Sequence, residues 1–261
     1  MIEHDILRIA LEQSAIDCGC STADFFQKNP VVRETPAYDA RVRQYIRRPQ
    51  MCDMVSYGGN VVAVAAPAVL PCVRQYLTSC PAAHCFETPQ ILRLNELLKP
   101  FELKICYMAE YFLPAARSLP ALSCDYEMRT LQRGEFDELY RQEWSNALCA
   151  DRKEADALCV GAYDGGKLIG LAGCSADCDT MWQIGVDVLP EYRRQNVAAA
   201  LTSSLAAQTF ARGKIPFYCA AWCNLPSVRN ALKCGFLPAW VQMSAMPADF
   251  VATAIKAWNI G

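Results

Sequence analysis

Long apolar runs, histidine and net charge are all scarce in this chain of 261 residues. Although 53% of the residues are hydrophobic, no run reaches the roughly 18 consecutive apolar positions that a membrane-spanning helix needs. No membrane partner is expected. Two histidines, His4 and His84, leave little imidazole for a metal centre. The close cysteine pairs are Cys18/Cys20, Cys174/Cys178 and Cys219/Cys223, and none has the CxxC spacing of a zinc knuckle. No metal is therefore expected. With 25 basic and 27 acidic residues the formal charge is -2, which is no electrostatic footprint for nucleic acid. The first residues, Met1-Ile2-Glu3-His4-Asp5, lack the basic start of a signal peptide, and a cytoplasmic setting is expected.

Cysteine, by contrast, is abundant. The count of fifteen is odd and the residues are scattered, which fits reduced thiols that pack as small hydrophobes rather than a disulfide framework. At this length roughly three-quarters of the unfolded surface can be buried without staples, in one large domain or two small ones.

Periodicity divides the chain. Residues 3–16 carry apolar positions at helical spacing. An arginine-rich stretch, Arg41 to Arg48, reads as a solvated face. Residues 52–57 and 60–66 read as strands joined at Gly58-Gly59-Asn60. Helices near 71–77 and 89–98 and a strand at 101–112 complete a small α+β unit without a visible catalytic motif. The pair His84-Cys85 suggests a nucleophile and base, but adjacency in sequence does not bring side chains together. Pro114, Ser118, Pro120 and Ser123 mark residues 113–123 as a linker.

Beyond the linker the pattern predicts a strand at 125–131, a helix from Gln132 to about Trp144 and a hairpin around Asp164-Gly165-Gly166. A strand at 181–189 and a helix from Arg193 to Arg212, closed by Gly213, follow. Next come a strand at 215–222 and a helix from Leu225 to Cys234, with Asn224 as N-cap, Pro226 in its first turn and Gly235 past its end. A final strand spans 236–246, interrupted at Pro238. A strand that ends in a turn of free backbone N–H groups at a helix N-terminus is an anion site, and residues 186–198 have that form.

The chain from about 125 to 246 resembles the GNAT superfamily of acyl-CoA-dependent N-acetyltransferases. The carriers are Val186-x-Val188, the turn Arg193-x-x-Asn196-x-Ala198, and Asn224-x-x-Ser227 ending in Gly235-Phe236. The resemblance implies an α+β fold: a GNAT-like mixed central sheet flanked by helices, preceded by a smaller N-terminal α+β domain. The domains expected are 1–115, a second copy of the same fold being one reading of it, then the linker, then 124–261. It also implies acetyl-CoA as co-substrate. Arg193, Arg194, Gln195, Asn196, Val197 and Ala198 would face the pyrophosphate. Val186, Asp187 and Val188 would pair with the pantetheine amides, with a backbone N–H there polarising the thioester. Asn224 and Ser227 would touch the far part of the arm.

The reaction implied is direct attack by a primary amine of a small molecule or peptide. A CoA-binding or sensing protein with little turnover is the alternative. Two positions depart from the family. Asn196 stands where glycine is usual, although asparagine tolerates a left-handed backbone. Ala231 stands where many members have the tyrosine that protonates the leaving thiolate, which leaves Tyr218 and Tyr192 as the nearest phenols. The base is unmarked. Glu143 and Asp179 are the candidates, because burial beside Trp144 or Trp182 would raise a carboxylate toward neutral pH. The N-terminal domain is open to roles as a lid or a homodimer surface.

Overall fold

The computed structural model describes residues 1–37, 39–46 and 50–258. Arg47 and Arg48, the end of the arginine-rich stretch, lie outside the described residues. In chain order the elements are α1 (His4–Cys18), β1 (Val31–Glu34), β2 (Cys52–Ser56), β3 (Val62–Ala65), α2 (Leu70–Thr78), α3 (Thr88–Leu98) and β4 (Leu103–Pro114). There follow β5 (Glu127–Gln132), β6 (Asp156–Asp164), β7 (Lys167–Ser175), β8 (Met181–Val188), α4 (Val197–Ala211), β9 (Ile215–Ala221), α5 (Leu225–Lys233), β10 (Phe236–Pro247) and α6 (Ala248–Trp258). The protein is α+β. It forms two compact units, one of residues 1–10 and 111–238, the other of residues 11–110 and 239–261. Both β4 and β10 begin in one unit and end in the other.

The unit of residues 1–10 and 111–238 holds a mixed sheet in the order β9-β8-β7-β6-β5. Strands β5 to β8 are antiparallel neighbours, and β9 runs parallel to β8. Helix α4 covers one face. Val197, Leu201 and Leu205 pack there with Leu158, Val160, Ile169, Ile184 and Phe236. The helix sits close because β7 offers Gly170, where a Cβ would stand 2.9 Å from Val197 Cγ1 and 3.0 Å from Leu201 Cδ1. Helix α5 is amphipathic and locally specified: Asn224 accepts a hydrogen bond from the Ser227 N–H at 3.3 Å, and Gly235 past its end takes φ +84°.

In the other unit β2 and β3 form the expected hairpin, β1 lies parallel to β3, and Val241–Ser244 of β10 pair antiparallel with β2. Helices α2 and α3 cover a core of Met54, Ala63, Val73, Tyr76, Leu94, Leu98 and Met243. A buried ion pair, Arg43 Nη1 to Asp17 Oδ2 at 2.7 Å, lies beneath Trp240. Cys85 is buried, its Sγ directed to the carbonyls of Cys80 and Pro81, whereas His84 is exposed and bonds Glu87. The two side chains therefore make no catalytic pair. Burial pushes the Cys85 thiol up to about 12.

Three sequence expectations are corrected. The segment after β5 is not a helix to Trp144 but a run of short 3-10 turns, at Asp137–Leu139, Gln142–Trp144 and Ala150–Ala155. Helix α4 starts at Val197 rather than Arg193, because Arg194 and Asn196 both take left-handed φ, +63° and +66°. Pro238 does not interrupt β10. The short strand β1 and the helix α6 were not anticipated. All fifteen cysteines are free.

Candidate functional site

The geometry that matters begins where β8 and β9 part. They pair in parallel from Met181/Ile215 to Ile184/Tyr218, and among the described residues the pairing goes no further. Strand β8 continues alone on its other edge, Val186 opposite Ala172, Asp187 opposite Leu171 and Val188 opposite Gly170 of β7. From Gly185 onward the β9-facing edge of β8 is therefore free. The side chains of Val186 and Val188 pack into the core beneath α4, so only their backbone is offered at the opening.

The chain then makes a single 3-10 turn at Pro190–Tyr192 and enters the left-handed pair Arg194 and Asn196. Among the described residues, the backbone N–H groups of Arg194, Gln195, Asn196, Val197, Ala198 and Ala199 donate no hydrogen bond. Six unpaired donors at a helix N-terminus, with no acidic residue in the first turn of α4, make an electropositive cradle.

Three side chains of this turn are held by hydrogen bonds. Arg193 Nε donates to the Val188 carbonyl at 3.1 Å. Gln195 Nε2 donates to the Glu191 carbonyl at 3.1 Å, and its Oε1 accepts from the Tyr126 hydroxyl. Asn196 Nδ2 donates to the Ser123 carbonyl, and its Oδ1 accepts from Lys233 Nζ at 2.6 Å. Both ends of its amide are therefore engaged.

Asp187 has a role that the sequence did not reveal. Its carboxylate accepts from the N–H groups of Asn146 (2.8 Å) and Ala147 (2.9 Å) and from Asn146 Nδ2 (2.6 Å). These bonds pin the segment after Trp144 onto the sheet. Two glycines let the backbones meet: a Cβ at Gly185 would stand 1.8 Å from the Asn146 oxygen, and one at Gly173 2.1 Å from the Ala147 oxygen. The same segment buries Phe136, Trp144, Ala147 and Leu148 against Cys159 and Leu171. The only available signal was a glycine on each of two adjacent strands, which marks close backbone approach without naming the partner.

Of the two carboxylates considered as base, Glu143 sits on the exposed side of the turn that buries Trp144, and Asp179 is exposed in the bend before β8. The burial invoked for a base is found at neither. It is found at Asp156, which is 2% exposed at the start of β6 and accepts from the Cys149 N–H and the Tyr140 hydroxyl, both at 3.0 Å. Burial pushes its carboxyl up to about 6. The sign of the linkage follows. Between pH ~4 and ~6 the folded protein keeps a proton that the unfolded chain releases, so stability falls as pH rises through that window, by about 2 to 3 kcal/mol in all. Asp156→Asn is expected to remove that loss. Denaturant unfolding at pH 4.5 and 7.5 checks it, and an unchanged difference between the two pH values contradicts it.

Tyr218, half of the last β8–β9 pair, is buried, and its hydroxyl lies 2.8 Å from Ser227 Oγ on α5. Asn224 caps that helix. Ala231, one turn further along α5, is fully buried in the core. Tyr192 points elsewhere, its hydroxyl donating to Asp164 at 3.0 Å. A cleft of about 370 Å³, lined by Arg133, Phe136, Asp137, Tyr140, Lys153 and Glu154, involves none of the residues expected at the cofactor. Among the described residues no helix is long and apolar enough to cross a membrane, and no cluster of three metal-ligating side chains occurs.

Residues 125–236 match the family model described as acetyltransferase (GNAT) family. Structural neighbours include a GCN5-related N-acetyltransferase-like protein from Streptococcus suis, 17% identical, with TM-score 0.44 over 60% of this chain and 69% of that one. A GCN5-related N-acetyltransferase from Sphaerobacter thermophilus is 15% identical, with TM-score 0.46 over 62% and 57%. Another from Kribbella flavida is 18% identical, with TM-score 0.42 over 57% and 62%. The chain thus spans less than two thirds of the latter two proteins. Among curated proteins no sequence match is found.

Proposed function

We propose that residues 125–236, which are a domain of the GNAT acetyltransferase family, transfer an acetyl group from acetyl-CoA to a primary amine of a small molecule or peptide. Family membership implies acyl transfer from an acyl-CoA to an acceptor. The finer reading is supported above all by one observation: the free edge of β8 beyond Ile184 leads directly into the six unpaired N–H groups of residues 194–199.

In this reading the backbone of Val186 to Val188 pairs with the pantetheine amides as a missing strand would. The turn from Arg193 to Ala198 takes the pyrophosphate. A backbone N–H near Val186 or Asp187 stabilises the oxyanion of the tetrahedral intermediate. Asn224 and Ser227 border the arm. The amine attacks the thioester directly, because both reactants lie side by side and no cysteine relay is needed. Collapse of the intermediate expels the CoA thiolate. Tyr218 is the proposed proton donor to it, since its hydroxyl sits on Ser227 beside the last pair of β8 and β9. Glu143 and Asp179 are the proposed acceptors of the amine proton, each to be tested by substitution with the amide.

The deciding experiment is calorimetric titration with acetyl-CoA, followed by thiol release in the presence of a panel of polyamines, amino acids, aminoglycosides and peptides. Binding with turnover on one class of amine is the expected result. Absence of binding overturns the reading altogether. Binding without transfer to any amine replaces it with that of a CoA sensor.

A further inference from the structure

The α4 N-terminus has an uncommon neighbour. Lys233 is the last residue of α5, exposed, and its ammonium is held 2.6 Å from Asn196 Oδ1. Asn196 is the residue that caps α4 and carries one of the six unpaired N–H groups. A cation beside the positive end of a helix is unfavourable unless an anion shares the site. No acid in the first turn of α4 supplies one. Glu191, the nearest acid in sequence, is itself paired with Lys167. Arg193 and Arg194 bring two further positive charges to the same turn.

Asn196 is built to keep the lysine there. Its left-handed backbone projects an amide whose nitrogen is anchored on the Ser123 carbonyl. That anchor leaves the oxygen fixed as the acceptor for Lys233. Glycine at this position would satisfy the same backbone angle but could not hold the ammonium. The asparagine therefore does more than fill a glycine position.

We propose that Lys233 is a phosphate-binding residue of the site, and that Asn196 is the positioning residue that seats it beside the pyrophosphate cradle. This rests on the reading of residues 186–198 as a CoA site, and it deepens that reading by adding a side-chain cation to the backbone donors. Glycine at 196, the residue usual in the family, would accordingly weaken the affinity. An exposed ammonium in a charge-assisted contact contributes modestly, so the loss on removing it is expected to be roughly five- to tenfold in Kd.

The experiment is titration of the full chain with coenzyme A itself, at low and high salt. Lys233→Met is expected to bind roughly five- to tenfold more weakly at low salt, with the gap to wild type closing as salt rises. Asn196→Gly is expected to weaken binding in the wild-type background and to change nothing in the Lys233→Met background, because the two act as a unit. Lys28→Met, an equal change of net charge at an exposed position of the other unit, is expected to bind as wild type does. Wild type that binds coenzyme A while Lys233→Met binds within twofold of it overturns the inference alone. A tighter Asn196→Gly overturns the seating role. A salt-independent loss in Lys233→Met means a structural effect and overturns the phosphate contact. Wild type that fails to bind coenzyme A overturns both the inference and the site beneath it.

Discussion

Replacing Gly185 by alanine is expected to cost about 3 kcal/mol or more of stability, read as a lowered denaturant midpoint. The added Cβ would stand 1.8 Å from the Asn146 oxygen and 2.8 Å from its carbonyl carbon. These are backbone atoms and cannot rotate away. Asn146 is held by three hydrogen bonds that Asp187 accepts from it and from Ala147, and on either side of it Trp144 and Leu148 are buried. Relief requires lifting the whole segment from β8. Gly59→Ala is the comparison, since its Cβ meets nothing nearer than the Phe25 oxygen at 3.7 Å and a change of about 0.5 kcal/mol or less is expected. Equal midpoints for the two variants contradict the close approach. Should Gly185→Ala fail to accumulate in soluble form while Gly59→Ala does, the same conclusion stands.

Tyr218→Phe is expected to lower turnover about 10- to 100-fold, the low end of what a positioned proton donor contributes, because a thiolate is a weakly basic leaving group. Affinity for coenzyme A should stay within about twofold, as the phenyl ring that fills the core is kept. The hydroxyl is buried and faces Ser227 at 2.8 Å. Burial raises the phenol above its ordinary value, so it stays protonated through the neutral range, while the Ser227 and Asn230 hydrogen bonds act in the opposite direction. Single-turnover thiol release measures the step. Unchanged release removes Tyr218 as donor, and a parallel loss of affinity marks it as structural.

What the sequence made legible is local. The α5 helix is announced by Asn224, Pro226 and Gly235, each acting through its own backbone within one turn. The strand, turn and helix at 181–211 are legible for the same reason, apart from the four residues by which the helix start was misplaced. The segment from Gln132 to about Trp144 reads as a helix because its apolar residues Phe136, Leu139, Tyr140 and Trp144 are spaced as a helix would space them. Its conformation is decided instead by Gly173, Gly185 and Asp187, residues distant in sequence, and period alone cannot weigh such contacts. The burial expected at the two base candidates is absent for a related reason. Glu143 is adjacent to a buried tryptophan, yet a tight turn sends the two side chains to opposite environments. Asp156 and Lys233 carried no motif at all; burial and a single hydrogen bond distinguish them.

The routing of β4 and β10 has a genetic consequence. Each unit is assembled from stretches that are separated in the coding sequence: 1–10 with 111–238, and 11–110 with 239–261. Neither corresponds to one uninterrupted segment of gene. Recombination at a single crossover therefore cannot deliver either unit intact to another protein, and a cut within residues 113–123 splits both. The two units are inherited together.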